Sequence, residues 1–306
     1  MLDYDTFLTV LYVTIDDFCR KSLPEEPIRP GPRPSLARSE VLTLALMGRW
    51  GRFRSERDFW RFTTSELTHL FPSLPHLSQF NRLEREHQEA MIALSHYLAA
   101  QMDAQNCPFE VLDRCGVATR WCNRRGVGWM PGVTDKGLCS RLGFFHGFHL
   151  LTASNPDGII TGFAVGAASA KDQPLAEALF AGRHYQFPQT PCVGLPCRSG
   201  DYVSDVGFNG KERHQNWEAF FNVRVIHKEE GCTKMWRKWL AGLRQIIETV
   251  HQCLVNVFGL ETERPHEIRG FFTRLSARVA LHNFCIWLNR SLGRPSLQFA
   301  DLLGWH

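Results

Sequence analysis

The chain has 306 residues, a formal net charge of +4 at pH 7 and a hydrophobic content of 44%. That content excludes an intrinsically disordered chain, and the length suits one large or two ordinary domains. No apolar run reaches the ~18 residues that a membrane-spanning helix needs. The first twenty residues carry four aspartates, which is atypical of a signal peptide. We therefore expect a cytoplasmic protein with reduced cysteines.

The arginines cluster near tryptophan and phenylalanine, and this pattern says more than the small net charge. Examples are Arg52 to Arg61, the pair Arg124 and Arg125, and the pair Arg237 and Lys238. Guanidinium groups suit phosphate oxygens and aromatic rings can stack on bases, so the pattern favours a nucleic-acid partner. An ordinary solvated surface is the alternative.

Residues 1–103 have the apolar spacing of helices. A proline-rich linker covers residues 24–34, a helix follows Ser39, and a long helix is predicted over residues 77–102. Short helices with arginine and tryptophan in their turns are typical of a helix-turn-helix DNA-binding module, and also of a plain helical bundle. We predict an all-helical, helix-turn-helix-like domain over residues 1–103.

After Pro108 the pattern changes to short β-type runs. The predicted strands cover residues 109–113, 147–153, 159–165, part of 192–203, and 223–226. The turn signature Asn155 to Gly158 makes the second and third strands a hairpin. The predicted helices cover residues 170–182, 217–221, 234–258 and 269–292. This order is that of an α/β, RNase H-like domain over residues 104–306, with a mixed central sheet flanked by helices.

Three carboxylates stand where a catalytic role is plausible. Asp113 ends the first apolar strand, Asp205 follows a later strand, and Glu248 lies among apolar residues of the long helix. Burying an unpaired carboxylate costs on the order of several kcal/mol, which argues against a purely structural role at Asp113. Arg244 lies one helical turn before Glu248 and shares its face. Each residue alone could be a turn, a cap or a surface ion pair, and Asp201 rivals Asp205.

Converging carboxylates form an all-oxygen site, which suits Mg²⁺ or Mn²⁺ rather than Zn²⁺. Two such ions ~3.5–4 Å apart can activate water or a 3′-hydroxyl and stabilise the leaving oxygen of a phosphodiester. The cysteines offer competing zinc chemistry, but none has zinc-knuckle spacing, and buried free thiols are the commoner case. The cysteines considered are Cys107, Cys115, Cys122 and Cys139, or Cys192 and Cys197.

From residue 109 to residue 289 the chain resembles the DDE transposases of bacterial insertion sequences, within the RNase H-like, retroviral-integrase superfamily. The first family aspartate follows an apolar strand, the second opens a Gly- and aromatic-containing turn, and the glutamate follows an arginine by four residues. The matching segments are Val111-Leu-Asp113, Gly147-Phe-His149, Asp157-Gly158, Asp205-Val-Gly-Phe208 and Arg244-Gln-Ile-Ile-Glu248.

This resemblance implies that Asp113, Asp205 and Glu248 bind Mg²⁺ or Mn²⁺ and catalyse phosphoryl transfer. Arg244 would fix Glu248 or contact a phosphate. The reaction would cut the element's ends and join the freed 3′-hydroxyl to target DNA. The implied partners are double-stranded DNA and a second copy of the chain, in a nucleoid-associated bacterial setting. Candidates for contact with the transposon-end DNA are Lys136, Arg141, Lys211 and Arg213.

Two other functions remain open at this point. Val206, Ala241 and Val255 stand where the family usually has other residues, which leaves a DNA-binding relative without catalysis as one alternative. A metal-dependent nuclease without end specificity is the other. Asp172 is expected to cap a helix rather than bind a metal.

Overall fold

The computed structural model describes residues 1–26, 31, 34–121, 123, 130–185, 193–194, 199–227, 233–262 and 266–305. The chain divides into two compact units, one of Met1–Leu98 with Leu254–His306 and one of Ala99–Cys253. The domain boundary placed after residue 103 stays a prediction. The compact units differ from it by grouping the C-terminal segment with the N-terminal helices.

The N-terminal part is helical after a two-residue strand. Asp3 is the N-cap of the first helix, where its carboxylate accepts from the Thr6 backbone N–H. The second helix is buried on nearly every residue, as expected of a sequence that is apolar on all sides. The elements are β1 (Leu2–Asp3), α1 (Tyr4–Ser22), α2 (Arg38–Met47), α3 (Glu56–Glu66), α4 (Leu77–Glu86) and α5 (Gln88–Gln101).

The long helix predicted over residues 77–102 is wrong as one element. It is divided at His87, whose backbone leaves the helical region at φ −97° and ψ 16°. No proline or glycine marks this position, and the apolar spacing continues across it, so the sequence carried no local signal for the break.

The second unit is built on a seven-stranded mixed sheet. Its strands are β2 (Glu110–Trp121), β3 (Asp135–Cys139), β4 (Gly143–Ser154), β5 (Ile160–Ala167), β6 (Val193–Gly194), β7 (Asp201–Ser204) and β8 (Arg224–Ile226). Its helices are α6 (Asp172–Tyr185), α7 (Lys211–Phe221) and α8 (Lys234–Gln252). The order across the sheet is β6-β5-β4-β2-β7-β8, with β3 paired to β4. β2 is parallel to β7 and antiparallel to β4, which confirms the predicted α/β class and mixed sheet.

The two faces of this sheet carry different partners. Leu112 of β2 and Leu151 of β4 belong to a core with α6 and α7 that includes Phe180 and Trp217. Successive residues of a strand point to opposite faces, so the next residues, Asp113 and Thr152, face away from that core. This is the side on which α8 contacts β2 and β4.

The C-terminal elements are α9 (Ile268–Ser291) and β9 (Leu303–Gly304), and β9 pairs in parallel with β1. The helix predicted to continue to Phe258 is α-helical only to Gln252, and residues 253–257 form a π-helical turn. Most of α9 is buried, including Arg278, which donates to the carbonyl oxygens of Phe258 and Gly259. No helix within the described residues is long and apolar enough to cross a membrane.

Candidate active site

Asp113 and Asp205 stand at the same level of two neighbouring parallel strands. The pairing of β2 with β7 ends at Leu112 opposite Ser204, and each aspartate is the next residue along its strand direction. Parallel strands keep this level because both chains advance in the same direction. The sheet register therefore places the two aspartates at neighbouring positions, although 92 residues separate them in the sequence (205 − 113 = 92).

Arg244 joins Asp205 to Glu248. Its Nη2 atom lies 3.3 Å from Oδ2 of Asp205 and 3.8 Å from Oε1 of Glu248. Arg244 and Glu248 are one turn apart on α8, so the helix presents both to the same side. All three side chains keep at least a third of their surface accessible, so the ion pairs themselves stabilise the fold little. The arrangement instead brings the helix carboxylate towards Asp205. The prediction that Asp113 ends its strand is wrong, because β2 continues to Trp121 and Asp113 is its fourth residue.

Asp113 is the most perturbed acid of this group. Burial raises the pKa of its carboxyl to about 6, while the N–H of Arg114, at 2.8 Å, and the charge of Arg244 lower it. The charges of Asp205 and Glu248 also act to raise the pKa of Asp113. Such clustered negative charge is what a bound cation would neutralise.

The side chain of Asp205 holds the backbone that follows it. Asp205 caps a short 3₁₀ helix, Val206–Phe208, and its Oδ1 accepts from the Gly207 N–H at 3.1 Å. The backbone of Gly207 is not in the left-handed region. A Cβ atom at this position would overlap Oδ2 of Asp172. A side chain at position 207 would therefore have to displace the Asp172 carboxylate.

Asp172 takes part in an ion pair that the sequence did not predict. It lies in the first turn of α6, and Nε of Arg114 is 2.5 Å from its Oδ1. Desolvation raises the pKa of Asp172, the charge of Arg114 lowers it, and the charge of Asp205 raises it. Arg114 also donates to Nδ1 of His149 at 3.0 Å, which leaves the ring proton of this buried histidine on Nε2.

Arg114, His149 and Asp172 line a groove of about 640 Å³, and Arg114 points to the face of β2 opposite to Asp113. Gly207, two residues after Asp205, forms part of its wall, so the groove adjoins the site at that point. Its lining is mixed, with two exposed apolar side chains, Leu138 and Phe144, that are paired across β3 and β4. The basic side chains that line it are Arg114, Lys136 and Lys171.

The predicted DNA-contacting residues have different surroundings. Lys136 lines the groove, and Lys211 is exposed at the first residue of α7. Arg141 donates to the carbonyl oxygen of Gly116 at 2.7 Å. Arg213 pairs with Glu177 at 3.1 Å, and both of these side chains are substantially exposed. Their contact with DNA stays a prediction.

Asp201, the rival for the second carboxylate, has a different partner. It lies at the start of β7, and its two oxygens accept from Arg224 at 2.8 and 2.7 Å. This bidentate pair already neutralises Asp201, whereas Asp205 lies beside the other two carboxylates. The geometry therefore favours Asp205.

Among the described residues, no group of three or more His, Cys, Asp or Glu side chains is placed so that it could hold one metal ion. Cys107, Cys115 and Cys139 form no disulfide, and Cys122, Cys192 and Cys197 lie outside the described residues. The three carboxylates have the all-oxygen chemistry that Mg²⁺ prefers, but Arg244 lies between two of them.

Comparison with protein-family models, with curated proteins and with solved structures found no match in any of the three.

Proposed function

We propose that this protein is a DNA transposase of an insertion sequence, with an RNase H-like catalytic unit that carries out two-metal phosphoryl transfer. The observation that carries the proposal is the register of β2 and β7, which sets Asp113 beside Asp205, together with Arg244, which links Asp205 to Glu248 of α8. Two aspartates on neighbouring strands and one helix glutamate suit the hydrolysis and transfer of phosphodiesters. The motif resemblance supplies the substrate, DNA.

The metal would be Mg²⁺ or Mn²⁺, held by Asp113, Asp205 and Glu248. The donor chemistry fits, because all three ligands are carboxylates and their charges already raise the pKa of Asp113. When bound, the ions would activate the attacking hydroxyl and stabilise the leaving oxygen. Since Arg244 now occupies the space between two of the ligands, we expect it to exchange a carboxylate for a DNA phosphate when the metal enters.

The chemistry would proceed in two displacements. Water forms a bond to the phosphorus at the element's end while the bond from phosphorus to the 3′ oxygen breaks, and that oxygen leaves as a 3′-hydroxyl. This hydroxyl then forms a bond to a target phosphate while the target strand's own bond from phosphorus to its 3′ oxygen breaks. No step needs a covalent link to the protein, and action on paired ends favours a homodimer or a higher oligomer.

The test is cleavage of labelled duplex DNA that carries the sequences flanking the gene, with Mg²⁺, by wild type, Asp113→Asn and Asp201→Asn. Asp201→Asn is the matched control, because it removes an aspartate of the same sheet that pairs with Arg224. We expect wild type and Asp201→Asn to cut at the ends and Asp113→Asn to lose cleavage.

Other results would change the proposal in defined ways. Binding without cleavage by wild type would indicate a DNA-binding relative that has lost catalysis. Equal cutting of unrelated DNA would indicate a nuclease without end specificity. Full activity of Asp113→Asn would refute the assignment of the site.

A further inference from the structure

No residue in the first two turns of α8 is buried. Every residue from Lys234 to Trp239 is exposed, and burial begins only at Leu240. A surface helix normally buries a residue every three or four positions. Here the exposed side chains include Met235 at 82%, Trp236 at 37% and Trp239 at 40% of their full exposure. A helix tip of this composition has the character of a binding surface.

The two tryptophan rings of this tip stack on each other. The rings of Trp236 and Trp239 stack with centroids 4.7 Å apart and planes at 22°. Trp239 also meets the edge of Phe109, with centroids 5.6 Å apart. Phe109 directly precedes β2, the strand that carries Asp113. The stacked pair is therefore anchored to the same strand as the candidate active site.

The charge of the tip identifies the kind of partner. Lys234, Arg237 and Lys238 alternate with the aromatic residues, and the sequence has no Asp or Glu from Lys234 until Glu248. A second copy of this surface across a two-fold axis would set these cations against one another, which opposes self-association. Cations interleaved with exposed tryptophans instead complement a chain of phosphates and bases.

The aromatic cluster lies at the same distance from the carboxylates along α8 and along β2. Trp239 and Glu248 are nine residues apart on one helix, which is about 13 Å at 1.5 Å per residue. Phe109 and Asp113 are four residues apart on or next to β2, which is also about 13 Å at 3.3 Å per residue. Since α8 packs on β2, the two advance together from the aromatic cluster to the site.

We propose that the surface of Lys234 to Trp239, named here the α8 tip, binds an unpaired stretch of DNA that leads into the active site. This rests on the proposed function and names the form in which the substrate strand is held. The faces of Trp236 and Trp239 can stack only on bases that have left a duplex, because neighbouring bases cover each other there. Lys234 and Lys238 supply the countercharge for the phosphates.

The test measures binding, not cleavage, so that it stands apart from the proposed activity. Fluorescein-labelled single-stranded oligothymidine is titrated against full-length Asp113→Asn in EDTA, with and without Trp236→Ala/Trp239→Ala. We expect the double substitution to weaken single-strand binding by about 10- to 100-fold, since stacking contributes about 1–3 kcal/mol per base. A duplex of the same length should bind with nearly unchanged affinity.

Two controls make the result specific. Phe220→Ala removes another exposed aromatic side chain, on α7, and should leave single-strand binding unchanged. Trp236→Phe/Trp239→Phe keeps aromatic faces and should retain most of the binding. Sedimentation equilibrium and thermal melting of each variant establish oligomeric state and folding.

The possible results support or overturn the role of the α8 tip in DNA binding as follows. Unchanged single-strand binding by the alanine variant overturns the inference, even if wild type cuts element ends. A change from dimer to monomer with unchanged DNA binding also overturns it and makes the α8 tip a subunit interface. Loss of single-strand binding in a protein that never cuts its ends would keep the inference while the proposed activity fails.

Discussion

His251 and Thr152 join α8 to the sheet directly beside the candidate active site. Nε2 of His251 lies 2.7 Å from the Thr152 hydroxyl oxygen in a buried contact. Thr152 is the cross-strand partner of Asp113, and His251 follows Glu248 by three residues. The contact therefore fixes the helix that carries one carboxylate against the strands that carry the others.

Thr152→Val should lower the rate of DNA cleavage by about 10- to 100-fold, because small displacements of reacting groups have effects of this size. Valine keeps the shape of threonine and removes only the hydroxyl. Substrate binding, measured as affinity for duplex ends, should change little. Thr249→Val is the control, since the Thr249 hydroxyl donates to the Gln245 carbonyl of its own helix. Equal losses in both variants would contradict a specific role for Thr152.

Arg244→Gln should weaken catalysis more than metal binding. The positive charge of Arg244 pairs with the carboxylates of Asp205 and Glu248. We expect its guanidinium to contact a phosphate instead when Mg²⁺ is bound. Its removal leaves the carboxylates free for the ion, so calorimetric Mg²⁺ or Mn²⁺ affinity should stay equal or rise. The rate of end cleavage should fall by about 100-fold, in the range reported for single transition-state donors. Glu248→Gln is the comparison variant and should lose metal affinity as well as cleavage.

Asp113→Asn should stabilise the metal-free protein, and the gain should depend on pH. Because the folded-state pKa is about 6 against an ordinary value of 3.8, ionising Asp113 destabilises the fold. The stability that the protonated carboxyl provides is complete below pH 3.8 and is lost as pH rises through about 6. Urea unfolding in EDTA should show no gain for the variant near pH 4. The gain should reach on the order of 2 kcal/mol at pH 8, allowing for the side chain's partial exposure.

Asp135 provides a control, because its pKa is shifted in the direction opposite to that of Asp113. Hydrogen bonds from Ser169 and the Lys136 N–H lower the pKa of Asp135, so its ionised form stabilises the fold. That contribution is present above pH 3.8 and is lost as pH falls below it. Asp135→Asn should therefore be no more stable than wild type at pH 8. A gain in both variants at pH 8 would indicate a general charge effect rather than burial of Asp113.

The three carboxylates could be proposed as site residues from the sequence because each stands next to a local sequence feature. Asp113 ends an apolar run, and the spacing of Arg244 and Glu248 is that of one helical turn. The contact of Arg244 with Asp205 could not be predicted, since it depends on where α8 packs against β7. The predicted strands and helices around the site match the structure in order, although their ends differ by several residues.

What the sequence missed depends on tertiary contacts. β3 has no clear apolar alternation and is a strand because β4 pairs with it. Gly207 looks like a turn glycine in sequence, and only the fold reveals the Asp172 carboxylate against it. Arg114, the neighbour of Asp113, points to the opposite face of β2, and its carboxylate partner, Asp172, comes from α6.

Arg183→Met should be the most destabilising of these substitutions. It removes the partner of the Glu110 carboxylate and leaves that charge buried and unpaired. Nη1 of Arg183 donates to Glu110 at 2.5 Å and to the Tyr202 hydroxyl at 2.6 Å, with Arg183 and Glu110 both buried. The loss of one partner from a buried ion pair costs about 3–5 kcal/mol. Urea unfolding of the variant should show a loss of this size.

Two further variants separate the buried charge from the lost packing. Arg183→Met/Glu110→Gln should recover part of the loss, because no carboxylate then remains unpaired. Arg224→Met breaks the Asp201 ion pair, in which the arginine side chain is 66% exposed, and should cost less than about 1 kcal/mol. If Arg183→Met costs no more than Arg224→Met, the buried network does not stabilise the sheet as argued. If the double variant recovers nothing, the loss comes from the guanidinium's bonds to Tyr202 and Thr161 rather than from the charge of Glu110.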